Sequence, residues 1–266
     1  MQVEPPLQGL TLVVTRPRDQ AARSAFALRE AGADVIEFPV LDITPIAASI
    51  SSLDLADADA IIFVSTNAVA HGLPALLRAG EIAPGTQIFA IGRATAAALN
   101  DAGKMNVVSP QQSIDSEGLL ALSQLQSAEG RHIILVRGQS ELGGRRTLEQ
   151  ALIARGARVT VLECYRRAPV VPDSTSRDSL AKSFASGNVH GCFALSVETL
   201  DSLSNIFLSM NISPQSDLFL LVPHPRVATA ARARGFLNIA EVPLDEPALI
   251  AALADLKPRL LNRLPG

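Results

Sequence analysis

Small polar residues follow several short apolar segments of this sequence, at the points where a buried strand would give way to a helix. Ser65-Thr66-Asn67 comes directly after one such segment, and Ser196-Val197-Glu198 comes after another. Ligands of open parallel sheets bind at the carboxyl ends of the strands, where a helix N-terminus offers backbone N–H groups and a positive dipole to an anion. Four similar turns follow other apolar segments. For any one turn, the alternative is that its serine, threonine or asparagine only caps the following helix. The candidate ligand-binding residues of the six turns are Arg16, Ser65, Thr66, Asn67, Gly92, Arg93, Thr95, Arg137, Gly138, Ser196, Val197, Glu198, His224 and Arg226.

The chain has a single tyrosine, Tyr165, which is followed by Arg166 and Arg167. A phenol with its ordinary pKa of about 10 is protonated at neutral pH, so it can give a proton to a leaving group. A tyrosine on an extended edge segment is also explained by the packing of its amphipathic ring. Tyr165 is the candidate catalytic residue, with plain packing as the alternative.

Other catalytic signatures are missing from the sequence. It contains no GxGxxG, GxxxxGK[ST], HExxH or GxSxG motif, and its four histidines lack the spacing of metal ligands. Cys164 and Cys192 belong to no CxxC pair, so we expect reduced cysteines in the core. We therefore expect an activity without cofactor, metal ion or nucleophilic serine.

The net charge and the aromatic content of the chain argue against several classes of binding partner. The net charge of −3 argues against general binding to polyanions, and the aromatic content of 4% argues against stacking on single-stranded nucleic acid. No apolar run approaches the roughly 18 residues of a membrane span, and the first residues lack a signal-peptide pattern. We expect a cytoplasmic protein that acts on a small molecule, with no nucleic-acid or membrane partner.

Short apolar segments alternate with amphipathic stretches along the chain, which predicts an α/β fold with parallel sheets. The predicted strands are Leu10–Thr15, Asp34–Phe38, Ala60–Ser65, Gln87–Ile91, Asn106–Ser109, His132–Val136, Arg158–Glu163, Gly191–Ser196, Leu218–Val222 and Ile239–Val242. The clearest helices are predicted at Ala21–Ala31, Ala94–Ala102, Arg146–Arg155 and Val227–Arg234. Each is followed by a glycine that can take the left-handed conformation at a helix end.

The chain also repeats itself. Leu10–Pro45 and His132–Pro169 share one pattern, which we call A and A′: strand, arginine-containing turn, helix, Gly-Ala, strand and a tail that ends in proline. Asp59–Pro110 and His190–Pro243 share a second pattern, B and B′. A compact domain needs one unit of each kind to complete a five-stranded sheet.

The order A, B, A′, B′ allows two arrangements. In tandem, A pairs with B and A′ with B′; in the nested arrangement, B pairs with A′ inside a domain formed by A and B′. The extended tails Pro39–Pro45 and Cys164–Pro169 would then run side by side as the two connections between domains. Two-stranded hinges let lobes close around a ligand. We therefore predict nesting, with the six turns lining a cleft for a polyanionic ligand.

These residues resemble the uroporphyrinogen-III synthase family of tetrapyrrole biosynthesis over nearly the whole chain. The resemblance is carried by Val13-Val14-Thr15-Arg16-Pro17, Phe38-Pro39, Phe63-Val64-Ser65, Ile91-Gly92-Arg93-Ala94-Thr95, Leu135-Val136-Arg137-Gly138, Glu163-Cys164-Tyr165-Arg166-Arg167 and His224-Pro225-Arg226. It implies two flavodoxin-like domains, one inserted in the other and joined by a two-stranded hinge. The expected outer domain is 1–39 with 168–266, the inserted domain is 43–164, and the hinge is 40–42 with 165–167.

The resemblance implies a lyase that closes the linear hydroxymethylbilane to uroporphyrinogen III, inverting ring D through a spiro intermediate, with no cofactor. The eight carboxylates of this substrate would suit the anion-binding turns. The family's tyrosine maps onto Tyr165, as the acid for the departing hydroxyl of ring A, its threonine onto Thr95 and a serine onto Ser196. Where many members carry Gly-x-x-Thr, this chain has Val227 at the threonine position, and Arg226 offers a charged contact beside it. A monomer with transient contact to the upstream bilane-forming enzyme is expected.

Two other functions fit hinged α/β lobes. A two-lobed ligand-binding or sensor protein is disfavoured by the absence of a signal-peptide pattern and of a DNA-binding helical extension. A glycosyltransferase would instead bind nucleotide sugars. Thermal shift with such ligands would show that binding. The isomer of the cyclised product, type I or type III, distinguishes the synthase from a sensor.

Overall fold

The computed structural model describes residues 4–104, 106–111, 116–140, 147–213 and 218–262. The first half of this described part contains β1 (Thr11–Val14), α1 (Arg18–Glu30), β2 (Asp34–Glu37), β3 (Leu41–Pro45), α2 (Ser52–Ala56), β4 (Ala60–Phe63), α3 (Thr66–Ala79), β5 (Gln87–Ala90), α4 (Arg93–Asp101), α5 (Ser116–Leu120) and α6 (Ser123–Gln126). The second half contains β6 (His132–Ser140), α7 (Thr147–Ala154), β7 (Arg158–Pro169), α8 (Ser174–Ala185), β8 (Gly191–Phe193), α9 (Val197–Ser209), β9 (Phe219–Val222), α10 (Pro225–Ala233), β10 (Ile239–Glu241) and α11 (Glu246–Leu261).

The chain divides into two compact units. Unit 1 comprises Met1–Asp42 and Pro169–Gly266, and unit 2 comprises Ile43–Ala168. Unit 2 is therefore inserted into unit 1. The nested α/β fold class is confirmed, whereas the hinge residues and the domain boundaries given above stay a prediction.

The sheet of unit 1 has the strand order β10-β9-β8-β1-β2. Its pairs are parallel, and β1 joins β8 with Val13 opposite Cys192, far apart in sequence. Counted along the unit's own strands, this is the 2-1-3-4-5 order of flavodoxin-like folds. The first strand thus pairs with the last third of the chain, as nesting requires.

The sheet of unit 2 has the order β3-β7-β6-β4-β5. Strands β4 to β7 pair in parallel, and Val108 adds one bridge to Phe89. The predicted strand Asn106–Ser109 is therefore wrong in extent, because within the described residues 106–111 only this bridge forms. Strand β3 runs antiparallel to β7: Ile46 N–H donates to Cys164 O (3.3 Å), and just beyond both strands Val170 N–H donates to Val40 O (3.0 Å).

Both sheets are covered on their two faces. In β4, Ile61 and Phe63 enter one apolar cluster while Ala60 and Ile62 enter another, because successive side chains of a strand point to opposite faces. This explains why the strands read as nearly continuous apolar runs. The fold consequently leaves polar side chains to the strand ends, where the candidate site lies.

Helix ends follow the sequence signals. The glycines after the four predicted helices, Gly32, Gly103, Gly156 and Gly235, all have positive φ. Gly32 is doubly constrained, since a Cβ there would lie 2.5 Å from Pro5 Cβ. Helix α1 begins at Arg18 rather than Ala21, and Arg146 of the predicted third helix lies outside the described residues. Among the described helices, none is long and apolar enough to cross a membrane.

Candidate active site

A bulge between β6 and β7 sets the orientation of Tyr165. Arg137 pairs with Glu163, but the next residue of β6, Gly138, pairs with Tyr165, so Cys164 has no partner residue in the register. An extra residue in one strand shifts the alternation of its side chains. As a result the consecutive residues Cys164 and Tyr165 both enter the apolar cluster under α3.

The Tyr165 hydroxyl is held by a serine that follows β4, on the far side of β6 from β7 in the sheet. Ser65 Oγ and Tyr165 Oη lie 2.9 Å apart, and Ser65 Oγ also accepts a hydrogen bond from Ala68 N–H (3.0 Å) at the start of α3. Tyr165 is only 2% exposed, whereas Ser65 is partly exposed. Ser65 thus caps α3 and is, in addition, the partner of the tyrosine.

Gly138 and His71 also lie beside the phenol. A Cβ at Gly138 would lie 2.2 Å from Tyr165 Cε2, so only glycine leaves room for the ring. The His71 ring centroid lies 5.8 Å from that of Tyr165. The sequence had singled out Gly138 for ligand contact, and the structure shows that its missing side chain accommodates Tyr165.

Sequence reasoning missed His71, although a signal was available. Ala68 and Gly72 are small residues four apart on α3, a spacing that places both on one helix face. Cys164 Sγ lies 3.9 Å from Ala68 O, and a Cβ at Gly72 would meet Cys164 Sγ at 3.1 Å. This close approach brings α3, and His71 with it, onto β7.

Arg137 is already engaged by two carboxylates. Its Nη1 lies 2.9 Å from Glu149 Oε2 and its Nη2 3.1 Å from Glu163 Oε1. The three charges sum to −1, which disfavours a further carboxylate at this guanidinium. The structure therefore points to an ion-pair role for Arg137, and its predicted ligand contact is weakened.

The N-terminus of α4 differs from that of α3. Its N-cap is Gly92, which makes no side-chain cap hydrogen bond, so the first N–H groups of α4 have no competing side chain. Arg93 is exposed beside them and, within the described part of the chain, forms no ion pair. Thr95, in contrast, is 4% exposed. Gly92 itself is buried, so Arg93 is the exposed residue of this candidate anion-binding turn. At the start of α3, Thr66 is exposed and Asn67 is partly exposed.

The corresponding turns of unit 1 are capped by side chains. Ser196 Oγ accepts from Thr199 N–H (3.0 Å), and His224 Nδ1 accepts from Arg226 N–H (3.1 Å). Val197 and Glu198 form the partly exposed first turn of α9. Val227 is 2% exposed and packs in the core, so it offers no polar contact, while Arg226 is exposed beside it.

Arg16 lies at the carboxyl end of β1 and lines a small cavity of about 20 Å³ with Leu28, Phe193 and Leu249. Burial lowers the pKa of its guanidinium, and the nearby Glu246 partly opposes this. An arginine at such a depth remains charged, because its ordinary pKa is above about 12. The Arg16 cation therefore lies beside apolar side chains at the end of a strand.

No group of three or more histidine, cysteine or acidic side chains in the described ranges is arranged to hold a metal ion. Burial raises the pKa of the Cys164 thiol to about 12, so it stays protonated near neutrality. The chemistry available at this edge of unit 2 is thus that of hydroxyl groups and hydrogen-bond donors.

Comparison with known proteins assigns the chain to a family. The family model described as uroporphyrinogen-III synthase HemD matches residues 22–250. The chain belongs to the uroporphyrinogen-III synthase family. The resemblance noted from the strand-end motifs is thereby confirmed.

Individual relatives agree with that assignment. The uroporphyrinogen-III synthase of Salmonella typhimurium is 29% identical over 261 residues, 92% of this chain and 100% of that protein. That of Escherichia coli is 32% identical over 168 residues, 60% of this chain and 66% of that protein. A crystal structure of the synthase from Thermus thermophilus has a TM-score of 0.62 at 18% identity and covers 94% of this chain and 98% of that one. The Helicobacter pylori structure gives 0.58 at 14% identity, covering 92% and 99%. Both structural likenesses show the fold.

Proposed function

We propose that this protein closes hydroxymethylbilane to uroporphyrinogen III, with inversion of ring D through a spiro intermediate. The observation that carries the proposal is the family match over residues 22–250. The alternative of a non-enzymatic ligand-binding or sensor protein is not favoured, because the matching family and relatives are named as enzymes.

The chemistry of this reaction suits a site built from hydroxyl groups and backbone donors. Loss of the hydroxyl from ring A leaves a reactive azafulvenium cation, and the free chain can close unaided to the type I isomer. The protein's task is to hold the substrate so that the substituted carbon of ring D attacks. Positioning of this kind lowers the barrier without a strong nucleophile or a cofactor.

To bind the carboxylates of the substrate, the protein needs hydrogen-bond donors that are not already bonded to its own side chains. In unit 2 the uncapped N-terminus of α4 and the exposed Arg93 meet this requirement. In unit 1 the exposed Arg226 does so beside the first turn of α10, where Val227 supplies no hydroxyl. We assign carboxylate binding first to these turns, and Ser65, Thr66, Asn67, Ser196 and Arg16 to the remaining contacts.

We assign Tyr165 the role of the general acid that protonates the departing hydroxyl of ring A. A general acid typically contributes about 10²–10⁴-fold, and the low end is expected here because the substrate loses its hydroxyl readily. The hydrogen bond to Ser65 and the packing against Gly138 fix the phenol in one place. This fixed position supports a role beyond packing.

The deciding experiment uses hydroxymethylbilane generated enzymatically in the same tube. The cyclised products are oxidised, and the type I and type III isomers are separated. The synthase yields type III, whereas a ligand sensor or a glycosyltransferase leaves the spontaneous type I product unchanged. Cytoplasmic location, a monomeric state and transient contact with the bilane-forming enzyme are further parts of the proposal.

A further inference from the structure

Ser65, rather than Tyr165, is the hydroxyl that reaches the outer edge of the site. Tyr165 is only 2% exposed, and its ring is enclosed by Gly138, His71 and the apolar cluster under α3. Ser65 stands at the end of β4, partly exposed, with its oxygen 2.9 Å from Tyr165 Oη. Ser65 is therefore the more exposed of two hydroxyl groups that lie within hydrogen-bond distance of each other.

The hydrogen bonds of Ser65 leave one position for a ligand. A serine hydroxyl has two lone pairs that accept and one hydrogen that donates. One lone pair takes the Ala68 N–H, and the second suits the phenol of Tyr165, since a phenol is more acidic than an alcohol. The serine hydrogen is then directed to a group bound at the strand end.

From this geometry we infer that Ser65 is a catalytic residue that relays the Tyr165 proton to the departing hydroxyl of the substrate; the inference rests on the proposed function. The Ser65 hydrogen passes to the hydroxyl oxygen of ring A, the carbon–oxygen bond breaks with its electron pair on oxygen, and water leaves. In the same step the Tyr165 hydrogen passes to Ser65 Oγ. The azafulvenium cation and the Tyr165 phenolate remain.

The helix that Ser65 caps also favours the relay. The N-terminus of a helix carries partial positive charge, which stabilises an anion within the first turn. The negative charge that builds up on Ser65 and Tyr165 during transfer lies at this end of the 14-residue helix α3. After ring closure, the proton that the product loses returns by the same path through Ser65 to Tyr165.

The test compares Ser65→Ala, Ser65→Thr, Tyr165→Phe and the double variant Ser65→Ala/Tyr165→Phe. Each of the two single losses is expected to lower kcat for type III formation about 10²-fold with little change in KM. The double variant should fall no further, because both residues act on one proton. Ser65→Thr, which keeps the hydroxyl, should recover most of the rate.

A matched control separates the relay from the loss of a helix cap. Ser51 caps α2 of the same unit in the same way, accepting from Asp54 N–H at 3.0 Å. Ser51→Ala should lose a cap and keep the wild-type kcat. Wild-type turnover in Ser65→Ala, or a double variant slower by about 10⁴-fold as two independent groups would give, overturns the relay.

Raman spectroscopy tests the same inference without any substrate. Tyr165 is the only tyrosine of the chain, so the tyrosine Fermi doublet reports this phenol alone. We expect the signature of a phenol that donates a hydrogen bond in the wild type and in Ser65→Thr, and its loss in Ser65→Ala. A phenol that accepts from Ser65 in the wild type overturns the relay. A wild-type protein that forms only type I product would instead overturn the proposed function.

Discussion

The ring of Tyr165 occupies the space in which a side chain at Gly138 would begin. A Cβ there would lie 2.2 Å from Cε2 and 2.4 Å from Cζ of the ring, well inside van der Waals contact. The two residues face each other because the bulge at Cys164 brings Tyr165 opposite Gly138 rather than one place further along β6. The position of the phenol is therefore coupled to a backbone irregularity in the strand that carries it.

Gly138→Ala should displace the phenol and thereby reduce both stability and catalysis. Overpacking of this kind costs about 1–3 kcal/mol, and type III formation should fall toward the level of Tyr165→Phe. Gly85→Ala is the matched control, because a Cβ there meets nothing within 4 Å. Denaturant unfolding and the isomer assay measure the two effects. Unchanged activity in Gly138→Ala would show that the ring position does not matter.

Tyr165→Phe should remain folded, since the ring and its packing are kept and only the hydroxyl is lost. We expect type III formation to slow by about 10²-fold, at the low end for a general acid, while spontaneous type I product accumulates. The isomer ratio after oxidation gives the result directly. If this variant turns over like the wild type, Tyr165 is a packing residue and the acid must be sought elsewhere.

Arg93→Gln should weaken substrate binding and leave the fold intact. Arg93 is exposed beside the uncapped N-terminus of α4, and exposed charge pairs contribute about 0.2–1 kcal/mol, so KM should rise about 1.5- to 5-fold. The affinity of the wild type should also fall with added salt, and the variant should show a weaker salt dependence. Arg78→Gln, at the far end of α3, is the control. If substrate binding depends on salt equally in the wild type and in Arg93→Gln, Arg93 does not belong to the site.

Arg137→Met should destabilise unit 2 more than it weakens binding. The substitution leaves Glu149 and Glu163, both partly buried, side by side without their cation, at a cost of about 1–3 kcal/mol. Adding Glu149→Gln should restore part of the free energy of unfolding. A raised KM at unchanged stability would instead return Arg137 to the residues that bind carboxylates.

Stability should decrease in alkaline solution through the buried thiols. Burial raises the pKa of Cys164 from 9.0 to about 12 and raises that of Cys192 as well. Above the unfolded pKa the unfolded chain loses these protons while the folded chain keeps them, so each thiol lowers the free energy of unfolding by about 1.4 kcal/mol per pH unit. The full stabilisation is present below pH 9 and is lost toward pH 12. Cys164→Ala should flatten this decline between those values, and an unchanged slope in urea titrations would contradict the burial of the thiol.

Local signals in the sequence were sufficient for the architecture. Continuous apolar runs predicted parallel strands, glycines marked helix ends, and the A, B, A′, B′ order with two extended tails predicted an inserted unit. Each of these features can be recognised in a stretch of a few residues or by comparing one repeat with another. Ser65 and Ser196 were likewise recognisable as strand-end residues, and both cap helices in the structure.

The arrangement inside the site was decided by tertiary structure, because it depends on pairs of residues far apart in sequence. The Ser65–Tyr165 bond spans 100 positions, and the two carboxylates of Arg137 come from α7 and β7. A bulge that turns two consecutive side chains to one face violates strand alternation, so the pattern of β7 alone would have placed Tyr165 on the other side. Sequence determined that these residues would lie at strand ends, whereas packing across the sheet determined which of them touch and which remain available to a ligand.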